Sequence, residues 1–320
     1  MAVTTLLDIA KANGSDPIVG LIDETTKAHP EISMVAARTI KGLNYKTWVR
    51  TGLPTAGFRQ ANQGVASSKS TYENRLVDTY IFDPRIEVDK AVADRHEDGA
   101  AAFLAYEAEG VMEAAMQTLS KQFYYGQRTT YVNSTATNGF PGLLDAYERN
   151  VYEYDAGGTT DNTATSVWAI KFGEKYVQWV FGKDGELKLS DVMIQRLTDS
   201  NNNGYTGYVQ EILAYPGLQV GSLRGVGRIK KITDDSGHTL NDNMLAELFS
   251  TFEVGVQPDL ILMNRRARKQ LQKSRTVTLF GNSNQKVSGK EATLAPLPTE
   301  YQGVPIAVTD SISNTETLAL

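Results

Sequence analysis

Residues 258–275 read PDLILMNRRARKQLQKSR, and two halves of opposite character meet at Asn264. Leu260, Ile261, Leu262 and Met263 form an unbroken apolar run, short enough for a buried strand. Six cations follow, Arg265, Arg266, Arg268, Lys269, Lys273 and Arg275, with no acid among them. Asn264 carries the kind of side chain that caps the free amides of a first helical turn, and Ala267 and Leu271, four apart, give that helix an inward row. The spacing therefore predicts a buried strand, an asparagine cap and a short basic helix, on which Arg265, Arg268 and Lys269 lie together.

Three accounts of that helix compete: a nucleic-acid contact, a solvated or intersubunit face, and a site for an anionic small molecule. A nucleic-acid module would add a recognition helix in a small bundle, further basic clusters, or aromatics on a sheet, and the rest of the sequence offers none of these. The 32 Lys and Arg against 37 Asp and Glu leave a net charge of -5, so any polyanion contact must come from a local patch. Basic side chains late in a helix also suit its dipole without any ligand.

The 320 residues suffice for one large core or two compact units, and 41% apolar with 22% charged residues is the balance of a folded globular chain. Cysteine is absent, which excludes disulfides, thiolate catalysis and cysteine-held zinc. No apolar run reaches the length of a membrane span, and the start, MAVTTLLDIAKANGSD, lacks a basic leader or cleavage-like site, so neither export nor membrane insertion is expected.

Upstream, the strongest helical periodicity covers 94–125, DRHEDGAAAFLAYEAEGVMEAAMQTLSKQFYY, with Phe103, Leu104, Val111, Ala115, Leu119 and Phe123 on one side and Gly126 at the end. Gly110 inside this helix predicts the close approach of another backbone. Residues 46–90 are polar, glycine-dotted and weakly alternating, which predicts a long two-stranded excursion; so long an excursion implies a binding role. Residues 162–188 alternate around a Gly-Glu-Lys turn and predict strands joined as a hairpin.

No constellation carries catalytic chemistry. His29, His96 and His238 lack partners at metal-ligand spacing, GKDGELKL at 182–189 lacks the oxygen-ligand spacing of a calcium loop, and Gly225 and Gly227 fit no nucleotide fingerprint. No serine elbow is present, and Asp234 and Asp235 read as turn residues. No catalytic residue, cofactor or metal is expected. A hydrolase assembled from scattered carboxylates is the enzymatic alternative, and it names no pair.

In their order, these segments resemble the major capsid proteins of tailed bacteriophages, with the HK97-like fold. The resemblance is carried by the amino-terminal arm, the excursion, the long helix, GFPGLLDAY (139–147), TSVWAIKFG (165–173), PDLILMNRRARKQL (258–271) and YQGVPIAVTDSISNTETL (301–318). It implies an α+β chain: an arm over 1–45, an extended loop over 46–90, a peripheral domain with its spine helix over 91–161, a mostly axial domain over 162–304 with strands returning to the peripheral domain, and a carboxyl-terminal strand and tail over 305–320. It further implies a non-enzymatic shell protein, assembled in the host cytoplasm and located in the virion capsid, whose hexamers and pentamers close an icosahedron around double-stranded DNA. Partners implied are other copies of the chain, a portal protein, a separately encoded scaffolding protein, room for a decoration protein, and nonspecific contact with the packaged DNA. Covalent crosslinking is not expected, since neither Lys69 nor Asn314 sits in a persuasive context. The candidate assembly contacts are Trp48, Val49, Leu53 and Phe58 on the loop and Arg265, Arg268 and Lys269 on the basic helix. The alternatives are an encapsulin-like compartment of the same fold, the hydrolase, and a soluble nucleic-acid-binding module.

Overall fold

A computed structural model of the chain describes residues 4–13, 23–127, 138–146, 152–182, 188–275, 277–279, 291–293 and 295–319. From the amino end the elements are α1 (Leu6–Ala12), α2 (Pro30–Met34), β1 (Ala37–Thr39), β2 (Asn44–Gly52), β3 (Thr71–Asp78), β4 (Arg85–Asp89), α3 (Lys90–Ala93), α4 (Ala100–Tyr125), α5 (Leu143–Ala146), β5 (Glu153–Asp155), β6 (Thr165–Ile170) and β7 (Val177–Phe181). They continue with β8 (Met193–Thr198), β9 (Gly204–Glu211), β10 (Pro216–Val220), β11 (Val226–Ile232), α6 (Asp242–Thr251), β12 (Leu260–Met263), α7 (Arg265–Ser274), β13 (Val277–Leu279), β14 (Glu291–Thr293), β15 (Glu300–Tyr301) and β16 (Val304–Val308).

The strand predicted at 260–263 is β12, inside a six-stranded sheet ordered β15-β16-β12-β6-β11-β5. Its neighbours are β16, parallel, and β6, antiparallel. The run is apolar throughout because both faces of the sheet are covered. Leu260 and Leu262, with Trp168 and Ile170 of β6, belong to the core that includes Leu119 and Phe123 of α4. Ile261 and Met263, with Val167 and Ala169, pack instead with Leu245 and Leu248 of α6 and Ala267 and Leu271 of α7. Removal from water stabilises by about 1.5–3 kcal/mol for each such leucine or isoleucine. The asparagine cap is in place: the Asn264 side chain accepts from the Ala267 amide at 2.8 Å, while its own amide donates to Thr165 and Asn314.

Residues 165–181 form two strands but not a hairpin. β6 joins the six-stranded sheet, whereas β7 is the centre of a separate three-stranded sheet, β1-β7-β10. The connection turns at Gly173, whose φ of 127° lies outside the range comfortable for other residues. Trp179 of β7 then lies against Phe123 and Phe140, with ring centroids at 5.2 and 5.6 Å. A third sheet, β4-β9-β8, packs Ile86 and Val88 on Phe103 and Leu104 of α4, and Ile9 of α1 joins the same cluster.

The long helix α4 starts later than the periodicity predicts. Gly99, at φ 84°, breaks the chain before Ala100. His96, in the preceding turn, is buried beside Phe103 and Tyr106 and accepts from the Asp98 amide through Nδ1. Gly126 does end the helix, through a close approach: a Cβ there would sit 2.4 Å from the Phe140 carbonyl oxygen. The expectation at Gly110 fails within the subunit, since nothing in the described chain lies within 4 Å of a Cβ placed there.

The carboxyl-terminal segment runs back through the body. Glu316 is buried, accepts from Tyr125 at the end of α4 and from Ser166 of β6 at 2.5 Å each, and lies 3.4 Å from the Arg228 guanidinium of β11. Arg228 is also paired with Glu153 at 3.4 Å and held 5.1 Å over the Trp168 ring. Burial and the adjacent Glu316 carboxylate hold the Tyr125 hydroxyl well above its ordinary pKa.

Candidate assembly surface

The excursion is an antiparallel ribbon, β2 on β3, running from the pair Asn44–Asp78 to the pair Gly52–Thr71 with a bulge near the far end. Residues 53–70 join the two strands as an irregular tip. The last part of the 46–90 stretch is not ribbon, because Arg85–Asp89 is β4 and pairs with β9. Alternation sorts the ribbon's side chains. Tyr45, Thr47 and Val49 of β2 and Arg75 and Val77 of β3 are at least half covered, while Lys46, Trp48, Arg50, Tyr72, Asn74 and Leu76 are exposed.

The four apolar loop residues therefore do not share one environment. Trp48 is 71% exposed and stacks on Tyr72 at 4.3 Å, with the Arg50 guanidinium 5.6 Å over the Tyr72 ring. Leu53 is 76% exposed and Phe58 wholly so, both on the tip. Val49 alternates onto the opposite face and is half-buried. Residues 46–72 carry Lys46, Arg50, Arg59 and Lys69 and no acid, a basic arm on an acidic chain. Tyr72 was not singled out by the sequence, because its role depends on which residue faces it across the ribbon.

On α7 the structure divides the cations. Arg265 pairs with Asp310 at 2.7 Å. Arg266 donates to the carbonyls of Thr163 and Ile232, and Arg275 forms two bonds to Asp242 at 2.8 and 2.6 Å. That carboxylate holds the Arg275 guanidinium above its usual pKa. Arg268, Lys269 and Lys273 have no ion-pair partner among the described residues, so the free positive charge of the helix is narrower than its sequence. Arg265 and Arg266 stand in the first turn, where the dipole disfavours them, and local acids and carbonyls offset this.

The remaining candidates resolve into structural roles. His29 Nε2 lies 3.3 Å from Glu113, and His238 Nδ1 lies 2.6 Å from the Ala156 carbonyl. Asp235 is held in its turn by Thr233 and Thr160, and a Cβ on Gly227 would collide with Phe252, so that glycine belongs to packing. Most of the 182–189 stretch lies outside the described residues. No group of three His, Asp or Glu among the described residues is placed to hold a metal, and no described helix is long and apolar enough to cross a membrane. Sequence reasoning missed a buried carboxyl: Glu31 of α2 lies against Tyr124 and Thr309 at 3.4 and 3.3 Å, and burial pushes its pKa up.

The family model described as Major capsid protein GP7 matches residues 11–319. Among solved structures, the chain is similar to one from bacteriophage Epsilon15, with 23% identity over 99% of this chain and 97% of that one, at a TM-score of 0.69. Weaker likenesses are to the capsid of Myoviridae phage XM1, 11% identical over 68% of this chain and 97% of that one with a TM-score of 0.48, and to the SrpI encapsulin of Synechococcus elongatus PCC 7942, 9% identical over 75% and 99% with a TM-score of 0.46. No curated protein matches the chain. The family match spans nearly the whole sequence and the fold agrees over nearly its whole length, so the chain belongs to the GP7 family of tailed-phage major capsid proteins, has the HK97-like fold, and is a structural protein of a capsid shell.

Proposed function

We propose that this subunit assembles as hexamers and pentamers into an icosahedral shell that encloses double-stranded DNA, with the β2–β3 arm of each copy covering a neighbour. The observation that carries the reading is the arm. Trp48, Leu53 and Phe58 are exposed on an element whose outer half packs on no other described part of the chain. A ribbon of two strands is marginal alone, so burial against another copy is what makes it worth building. Arg268 and Lys269 are then available to acidic groups of a neighbour or, without sequence preference, to the packaged genome.

The proposed division into an amino-terminal arm over 1–45, an extended loop over 46–90 that carries most of the β2–β3 ribbon called the arm above, a peripheral domain, an axial domain and a tail goes with this reading. The packing of β8 and β9 beside β4 and α4 supports strands of the 162–304 segment returning to the spine. A portal protein, a separate scaffolding protein and a decoration protein are the further partners proposed, with assembly in the host cytoplasm.

Electron microscopy of the full-length protein, expressed with and without its neighbouring gene products, tests the proposal. Closed shells containing nucleic acid are expected when the partners are present. A protein that stays monomeric at high concentration in low salt with its scaffold sinks the assembly reading, and shells filled with protein cargo and devoid of nucleic acid sink its genome-enclosing part.

A further inference from the structure

Among the described residues the arm touches its own body only near its root, and the contacts there are of two kinds. Val77 packs with Ile40 of the body and Val180 of β7 in a small apolar cluster separate from the main cores, with Tyr45 against it. Apolar contact is non-directional and lets a ribbon slide or rock. The other contacts are hydrogen bonds, and they begin in an unusual place. Gln178 of β7 and Gln219 of β10 stand directly opposite each other across the three-stranded sheet, and both are buried. Two amides in such a position cost stability unless every group finds a partner.

The partners fix one geometry. Gln219 Nε2 donates to the Glu174 carbonyl at 2.7 Å, and its Oε1 accepts from Gln178 Nε2 at 2.6 Å. An amide oxygen has a second lone pair, and the Tyr45 hydroxyl of the arm donates to it. The Tyr45 ring is held from the other side by the Arg38 guanidinium of β1, 4.8 Å over its centroid. One step further along the ribbon, Arg75 Nη1 donates to the Gly221 carbonyl, just beyond β10, at 3.0 Å. Tyr45 and Arg75 lie on the two different strands of the ribbon, and both reach the same edge of the body. Two directional bonds from two strands define an angle, where one would define only a pivot.

We propose that Tyr45 and Arg75 are positioning residues that set the angle at which the arm leaves the body, with the buried Gln178–Gln219 pair as their fixed mount. The inference rests on the arm's role in shell contacts for its biological meaning, but the angle is a property of the single chain and is measurable there. An arm tip far from its root amplifies a small rotation into a large displacement, so a loosened root misplaces Trp48, Leu53 and Phe58 without altering them.

The absence of cysteine allows clean labelling. In the full-length chain, Thr71→Cys at the far end of the ribbon and Lys121→Cys on α4 carry spin labels, and pulsed electron resonance reads the distance distribution between them. The expected result is one narrow distance in the otherwise native protein, replaced by a broad distribution in Tyr45→Phe and in Arg75→Met, with the thermal unfolding midpoint of the body retained. Tyr45→Phe removes a hydroxyl and strands no charge. Should it nevertheless fail to fold, Arg75→Met decides the matter alone, because its bond is to a backbone carbonyl at the edge of the body. A narrow distribution that persists in the folded variants overturns the proposal, as does a broad one in the native arm. Shell formation by the unlabelled protein is scored separately, so a failed pin and a failed assembly reading give different results.

Discussion

Replacing Trp48, Leu53 and Phe58 together with alanine separates folding from assembly. All three are exposed in the subunit, so their loss removes little from the fold beyond the Trp48–Tyr72 stack, a contribution of about 0.5–1.5 kcal/mol. At roughly 2–4 °C per kcal/mol for a chain of this size, the unassembled subunit's Tm should fall by only a few degrees. Assembly is another matter. Burying each side chain against a neighbour contributes about 1.5–3 kcal/mol, less about 0.5–1.5 kcal/mol for immobilising it. The net loss is then roughly 3–4.5 kcal/mol per arm, and with each 1.4 kcal/mol worth about tenfold, the subunit concentration needed for assembly should rise between about a hundredfold and a thousandfold. Light scattering over a concentration series, paired with thermal unfolding of the dissociated subunit, measures both quantities. Assembly of the variant at the native threshold refutes the reasoning, and so does a subunit Tm that drops by ten degrees or more, which would mean these side chains support the fold itself.

Leu262→Ala, in the covered centre of the six-stranded sheet, should cost about 2–5 kcal/mol in denaturant unfolding, whereas Lys269→Ala on the exposed side of α7 should stay within about 0.5 kcal/mol. Glu316→Ala leaves the Arg228 guanidinium buried with fewer partners, and the same measurement should show a loss on the order of 3–5 kcal/mol. For Glu31 the direction is opposite: its folded pKa is raised by burial, so its stabilising contribution is full below the ordinary glutamate pKa and is lost as pH rises through the folded value. Glu31→Gln should therefore raise stability at neutral pH relative to the native protein, with the advantage shrinking on acidification; an advantage that grows toward low pH would reverse the assignment.

The strand, cap and helix at 258–275 were legible because each depends on residues within one or two turns of each other: an apolar run, Asn264, and the Ala267–Leu271 row. The existence of α4 was legible for the same reason, but not its start, since a periodic pattern continues through His96 and is stopped only by the backbone of Gly99. The hairpin expected over 162–188 does not form, because alternation marks strands and says nothing about which strands pair; both faces of β6 are covered by elements from elsewhere in the chain. The apolar character of the arm stood in the sequence, whereas the separation of Val49 from Trp48 needed the ribbon's orientation. Buried polar partners distant in sequence were out of reach. Ser166 and Glu316 are 150 residues apart, and Gln178 and Gln219 are 41 apart, and no local pattern announces that either pair will meet.

The divergence of β6 and β7 has a mechanical meaning. Between them, Val177 donates to Lys171, Tyr176 to Gly173 and Gly173 to Val177, while the Phe172 amide is tied to Asp259 at 3.0 Å. Adjacent sheets are thus riveted by a short, hydrogen-bonded turn in place of a long linker. A pull applied at the three-stranded sheet, where the arm is rooted, is delivered directly to the six-stranded sheet. The body should respond to strain as one stiff tile, and compliance in a shell of such tiles is confined to the arms and seams between them.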